Sequence, residues 1–306
     1  MRIAVVGAGA MGGFYGALLA RSGCEVHFLM RRDYEAVRRR GLMVRSVWGD
    51  FHLERVNCYR EAGEMPAAEV VFIGLKTTAN GRYGELVGPL MGPNSLALTA
   101  QNGLGNEEQL AGLFGAERVA GGLAFLCANR GEAGVIEHLD YGQLTVGNWG
   151  RGPDERLREF ARLAERAGVR CDLTEDLALS RWKKLVWNVP FNGLSALLDV
   201  TVDQLAREGR VRRRAERLMA EVQAAAAAEG HAIEDGYAAY MWELTEKMRP
   251  YYTSMQLDRR RHEPMEVESI LGEPLRRGRE RGVALPEMTA LYEELRALDE
   301  ANRRAR

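Results

Sequence analysis

The feature that most constrains this chain stands at its start. A short β-branched run, "RIAVVG" (2–7), passes straight into "AMGGFYGALLARSG" (10–23), which has helical spacing and a terminal glycine. Gly7, Gly9 and Gly12 occupy this junction in the order G-x-G-x-x-G. Alone that pattern is weak; after a strand and opening a helix, it has the context that gives it meaning. The first glycine permits the tight turn and the second lets the backbone approach a pyrophosphate. The third lets helix and strand pack closely, with the phosphates at the helix N-terminus. Gly7, Gly9, Ala10, Met11 and Gly12 are therefore expected to contact a dinucleotide.

The same alternation continues past residue 24. "EVHFLM" (25–30) reads as a strand and "DYEAVRRRG" (33–41) as a helix ending in glycine. "EVVFIGLK" (69–76) is nearly continuous apolar sequence, as expected of a strand buried on both faces. "SLALTAQNG" (95–103) and "RVAGGLAFLC" (118–127) look similar, with helical "NEEQLAGLFG" (106–115) between them. Alternation of this kind implies a parallel sheet flanked by helices. "VIEHL" and "QLTVG", separated by "DYG", read as a hairpin closing the domain.

From about residue 176 the texture changes to long helices. Thr201 and Gln204 have capping-box spacing, a long helix runs from there to Gly230, and "AAAAA" (224–228) suits tight helix packing. Further helices are expected over about 235–248, 266–281 and 287–304. The reading is an α/β protein: an N-terminal Rossmann-type parallel-sheet domain (1–170) followed by an all-helical C-terminal domain (171–306). The length of 306 residues agrees with two domains, since single cores rarely grow past roughly 250–300 residues.

Net charge is −1, so no overall field recruits nucleic acid or an anionic membrane. The basic runs "RVRRRAER" (210–217), "DRRRH" (258–262) and "RRGRERG" (276–282) are read as solvated helix faces. Cys24, Cys58, Cys127 and Cys171 are scattered without metal-ligand spacing; free thiols and no metal site are expected. No charged leader precedes the first strand, and no run approaches the roughly 18 apolar residues that span a bilayer. A soluble cytoplasmic protein is expected. The helices of the second domain leave a homodimer and a monomer equally open.

Candidate ligand contacts lie at strand ends, where open α/β sheets bind their ligands. The second strand ends in "FLMRRD", where the cofactor ribose belongs. Arg31 there suits the 2′-phosphate of NADP, since guanidinium matches phosphate geometry. Asp33 competes as a contact for an unphosphorylated ribose, but is read as capping the next helix. Lys76 ends one strand and Asn102 another, both taken as cofactor contacts. In the second domain, "WKKLVWNVPFNGL" (182–194) places Lys184, Asn188 and Asn192 four residues apart. Each advances by about 400° on an ideal helix, so they line one side. That stripe faces either water or a polar ligand. Pro190 inside it predicts a kink or break.

The ordered set of G-x-G-x-x-G at residue 7, arginine near 31, "LK" at 75–76, "QNG" at 101–103 and "WKKLVWNVPFN" resembles the ketopantoate reductase family. The likeness continues through "TSMQLDRRRHEPMEVESILGEP" (253–274) and so covers most of the chain. It implies an NADPH-dependent 2-oxoacid reductase whose substrate lies between a Rossmann domain and a helical domain. The family's catalytic lysine falls on Lys184, with Glu266 as its acidic partner and substrate-binding glutamate. Asn188, Asn192 and Ser254 fall on substrate contacts, Ser254 as a candidate helix cap. Asn102 matches the asparagine beside the nicotinamide and is taken as a contact of substrate and cofactor alike.

The implied activity is reduction of 2-dehydropantoate to pantoate, with NADPH/NADP+ as cofactor. Two departures border the substrate region. "HEPM" (262–265) stands where the family commonly has a glycine–arginine pair and a threonine, and Gly193 stands where proline is usual. Another 2-oxoacid, an imine or a hydroxyacid is therefore a second reading, and a non-catalytic dinucleotide sensor a third.

Overall fold

A computed structural model describes residues 1–207, 209–248, 250 and 252–305. The chain forms two compact units, residues 1–101 with 106–177, and residues 102–105 with 178–306.

The first unit is built on strands β1 (Arg2–Val6), β2 (Glu25–Leu29), β3 (Leu42–Ser46), β4 (Phe51–Leu53), β5 (Asn57–Tyr59), β6 (Ala68–Ile73), β7 (Met91–Thr99), β8 (Val119–Arg130), β9 (Val135–Asn148) and β10 (Cys171–Leu173). Its helices are α1 (Ala10–Arg21), α2 (Tyr34–Arg40), α3 (Tyr83–Leu86), α4 (Asn106–Phe114) and α5 (Glu155–Arg166). The strands make one sheet in the order β4-β3-β9-β8-β7-β6-β1-β2-β5, with β10 also paired to β9. From β5 to β8 every pairing is parallel. Chain order reverses direction at β1, which lies between β2 and β6, and such a switch point is where open α/β sheets hold ligands.

Side-chain alternation explains why the sheet needs helices on both sides. Ile3 and Val5 enter one buried cluster with Phe14, Phe28, Phe72 and Phe160. Ala4 and Val6 enter another with Val71, Ile73, Tyr83 and Leu110.

Three short strands (β3, β4 and β5) lie in a stretch whose sequence carries no clear period. The expected hairpin within 135–147 is instead a single strand, β9, running antiparallel to β8. The residues "DYG" are absorbed as a bulge. The β8–β9 register shifts there, and Tyr141 and Gly142 take φ of 58° and 127°. A domain boundary at 170/171 would cut off β10, which pairs parallel to β9 and belongs to the first unit.

The second unit holds α6 (Leu177–Leu198), which begins at the boundary residue, then α7 (Val202–Arg207), α8 (Gly209–Ala228), α9 (Tyr237–Glu246) and α10 (Ser254–Arg260). A π-helical turn (Glu268–Gly272), α11 (Glu273–Glu280) and α12 (Pro286–Arg304) complete it. Pro190 does not break α6, which continues through it. The lost N–H costs about 3 kcal/mol, and burial of Val189, Phe191 and Leu194 in the helical core offsets it.

Close helix approach has small residues behind it. A Cβ on Gly278 of α11 would sit 3.0 Å from that of Ala225 in α8. One on Gly193 of α6 would sit 2.8 Å from Leu291 Cδ2 in α12, so packing against α12 explains glycine at that position. Met265 is likewise a core residue, with its N–H donating to Asp299 Oδ1 at 2.8 Å.

Candidate active site

In the first unit, α1 begins directly at the end of β1 because Gly7 takes φ +89°, a conformation other residues rarely adopt. A Cβ there would lie 2.6 Å from the Leu75 backbone nitrogen, and one on Gly12 would lie 2.3 Å from Gly7 O. Both glycines thus serve the packing of turn, helix and β6. Gly9 differs: no atom lies within 4 Å of where its Cβ would stand. Gly9 is the N-cap of α1, with no side-chain cap and no acidic residue in the first turn. Ala10 and Met11, half-buried, open that turn. An uncovered helix N-terminus with a smooth glycine approach fits a pyrophosphate.

Around it, Arg31 is exposed just beyond β2 and makes no hydrogen bond or ion pair among the described residues. Asp33 holds the N-cap position of α2 but caps nothing with its side chain. Its carboxylate instead pairs with the Arg130 guanidinium from β8 at 2.9 Å, a partner 97 residues away that no local signal announces. Lys76 is exposed at the end of the β6 segment. Gln101, buried just after β7, accepts from the hydroxyls of Tyr83 and Thr99 and donates to Asn80 Oδ1 at 2.8 Å. Asn80 in turn donates to Asn106 Oδ1 at 2.8 Å. This buried chain fixes the backbone that leads into Asn102.

In the second unit, Lys184 Nζ donates to Asn102 Oδ1 at 2.9 Å, across 82 residues of sequence. Lys184 as a whole is half-buried, and its bond to Asn102 is partly screened from solvent. Burial, together with the positive charge of Arg181, brings its pKa down to about 7, and the negative charge of Glu266 opposes this as the smallest of the three effects. Glu266 is buried at 4% exposure. Arg181, one turn before Lys184 and 2% exposed, falls outside the four-residue spacing; its i−3 position puts it on the same face, but only the structure shows that it is buried. Lys183 points elsewhere, bonding Glu234 at 2.7 Å.

Asn188 and Asn192 are both buried at 4% exposure, so the stripe does not face bulk water. The Asn188 Nδ2 group is buried without a hydrogen-bond partner, an unfavourable state that a polar ligand would relieve. Ser254 does not cap α10. Thr253 does, accepting from Gln256 N while bonding Ser195 Oγ at 2.7 Å, and Ser254 is the first helical residue, half-buried. Lys184, Asn102 and Glu266 are thus gathered around one ammonium, with Asn188 a turn further along α6.

A glycine-turn parallel sheet and a helical unit carrying a buried lysine, amide and carboxylate define the class: two-domain, dinucleotide-dependent oxidoreductases. A family model described as "Ketopantoate reductase PanE/ApbA" matches residues 3–151, and its "C terminal" counterpart matches 176–299. The chain belongs to the ketopantoate reductase family. It is 44% identical to a 2-dehydropantoate 2-reductase of Nostoc sp., over 99% of this chain and 96% of that one. The crystal structure of 2-dehydropantoate 2-reductase from Geobacter metallireducens superposes with a TM-score of 0.95 at 48% identity, covering 97% of this chain and 99% of that one. D-mandelate dehydrogenase, solved with NADH and anilino(oxo)acetate, shares the fold with a TM-score of 0.92 at 22% identity and 99% coverage of both chains.

Proposed function

We propose that this protein reduces 2-dehydropantoate to pantoate with NADPH, using Lys184 as the general acid. The observation that carries the reading is the buried Lys184 ammonium, hydrogen-bonded to Asn102 and poised near pH 7. A general acid works best when its pKa lies near the working pH. Bound NADPH would supply hydride to the carbonyl carbon. The carbonyl oxygen then gains negative charge, which Lys184 stabilises and neutralises by giving up one proton from Nζ. Glu266 accepts a hydrogen bond from a substrate hydroxyl and keeps Lys184 oriented. Asn188 brings its unmatched Nδ2 donor, and Ser254 and Asn192 complete the substrate contacts.

Two features support NADPH over NADH. Arg31 is an uncommitted guanidinium beyond β2, and the Asp33 carboxylate, the alternative ribose contact, is occupied by Arg130. Arg31→Ala should raise the Kd for NADPH about tenfold while changing that for NADH far less. Equal losses would remove the 2′-phosphate contact.

The substrate test follows NADPH consumption by purified protein with ketopantoate and a panel of 2-oxoacids and imines, and NADPH formation from NADP+ with β-hydroxyacids. Turnover confined to ketopantoate is the expected result. Turnover of a different compound would move the assignment within the family, a reading that mandelate dehydrogenase on this fold keeps open. Tight NADPH binding with no turnover would make the chain a sensor.

A further inference from the structure

The segment Asn102–Gly105 belongs to the helical unit although it comes two residues after β7 of the sheet, and one backbone contact ties it there. Leu104 N donates to Ser269 O at 2.9 Å, and the Leu104 side chain is buried in the helical core. Ser269 lies in the π-helical turn Glu268–Gly272. In that turn the Glu273 N–H, the ordinary α-helical donor for Ser269 O, goes to Glu268 O. The next residue, Pro274, has no N–H to offer. Both helical donors for this carbonyl are therefore diverted or missing, and Leu104 supplies one from outside.

The approach is close enough to demand glycine. Gly103 has φ +83°, and a Cβ there would fall 2.1 Å from Ser269 O and 2.4 Å from its carbonyl carbon. The residue before Gly103 is Asn102, whose Oδ1 accepts from the Lys184 ammonium. Two residues before the π-turn is Glu266, whose own carbonyl accepts from Ser269 Oγ at 3.4 Å and from Ile270 N at 3.2 Å. One joint therefore links the backbones that carry both groups flanking the lysine.

We propose that Gly103, the Leu104 N–H and the Ser269 carbonyl form a backbone joint that positions Asn102 on Lys184, making Gly103 and Ser269 positioning residues for proton transfer to substrate. This rests on the reading of Lys184 as the proton donor. The proposed route to Lys184 runs through Asn102, the chain neighbour of Gly103, so on this proposal loss of the joint and loss of Asn102 are the same event, whereas a route through Glu266 would make the two losses multiply. A misplacement of about 1 Å at such a site costs up to about 100-fold in rate.

The test is a double-mutant cycle with ketopantoate and NADPH. Gly103→Ala and Asn102→Ala should each lower kcat about 10- to 100-fold. The double variant should be no worse than Asn102→Ala, with NADPH affinity little changed by adding the second substitution. In ligand-free protein, the rate at which Lys184 is acetylated, read by mass spectrometry, should rise equally in both single variants and no further in the double. Multiplying losses, or parental kcat and labelling in a folded Gly103→Ala, would overturn the joint. Should Gly103→Ala fail to fold, Pro274→Ala restores a donor N–H beside the Ser269 carbonyl and should give a smaller loss, again absent on the Asn102→Ala background. Lys184→Ala run alongside separates the two ideas: unimpaired turnover there would remove the general-acid reading itself, whereas a crippled Lys184→Ala with additive Gly103 and Asn102 effects would remove only the joint.

Discussion

Lys183 and Lys184 are neighbours in sequence with opposite circumstances. Lys183 holds Glu234 on the surface and lies over the Tyr237 ring at 5.4 Å, whereas Lys184 is drawn inward to Asn102. Lys184→Ala should lower kcat by about 1,000-fold with NADPH binding kept, and Lys183→Ala should stay within about threefold of the parent. Steady-state kinetics with a fluorescence titration of NADPH decide it, and the reverse ranking would shift the proposed site by one residue. That Lys184, Asn188 and Asn192 form a stripe along one helix was legible from their spacing, whereas the burial of Asn188 and Asn192 was not. Arg181 was not, because an arginine on an exposed and on a buried helix face looks the same in sequence. Nor was the Asp33–Arg130 pair, whose members stand 97 residues apart, at or just beyond the ends of strands that are not neighbours in the sheet.

The glycine turn is an element with two kinds of glycine in it. Gly12 is pressed against the Gly7 carbonyl, while the Gly9 side faces open space. Gly12→Ala should therefore lower Tm by several degrees, each 1 kcal/mol lost being worth about 2–4 °C in a chain of this size class. Gly9→Ala should leave Tm almost unchanged and weaken dinucleotide binding, because the added methyl lies where the phosphates approach. Calorimetry and NADPH titration on both variants check this; equal Tm losses would mean that Gly9 is also a packing residue. The basic runs of the second unit behave as helix faces with partners: Arg212 bonds Glu216 and Glu246, Arg217 bonds Glu287, and Arg276 bonds Glu273 and Glu280. At α12, Glu221 accepts from the N–H groups of Glu287 and Met288, at 2.8 and 2.7 Å, supplying the cap that Leu285 cannot. The Thr201–Gln204 spacing yields only part of its box: Gln204 Oε1 accepts from both the N–H and the hydroxyl of Thr201 at 3.0 Å.

For the molecule as a whole, the buried lysine couples stability and activity to pH in opposite senses. Its pKa falls from an ordinary 10.5 to about 7 on folding. Between those values the unfolded chain holds a proton that the folded chain has released, so stability rises with pH through that window. Below about 7 both states are protonated and the cost of the buried charge is present in full. Proton donation runs the other way, since kcat/KM for reduction should fall as pH rises past about 7. Lys184→Met should flatten the lysine's part of the stability slope, measured by thermal melts across the window; an unchanged slope would assign it to other groups. The strand–helix alternation, the glycine turn and the polar stripe were readable in the sequence because each is a local period, set by backbone geometry within a few residues. The bulge that made one strand of an apparent hairpin, the capping role of Thr253, the fit of Gly193 against Leu291 and the joint between Leu104 and Ser269 were decided only in three dimensions. Each depends on which distant backbone or side chain comes to lie alongside, and close packing of the whole chain, rather than any local preference, selects that neighbour.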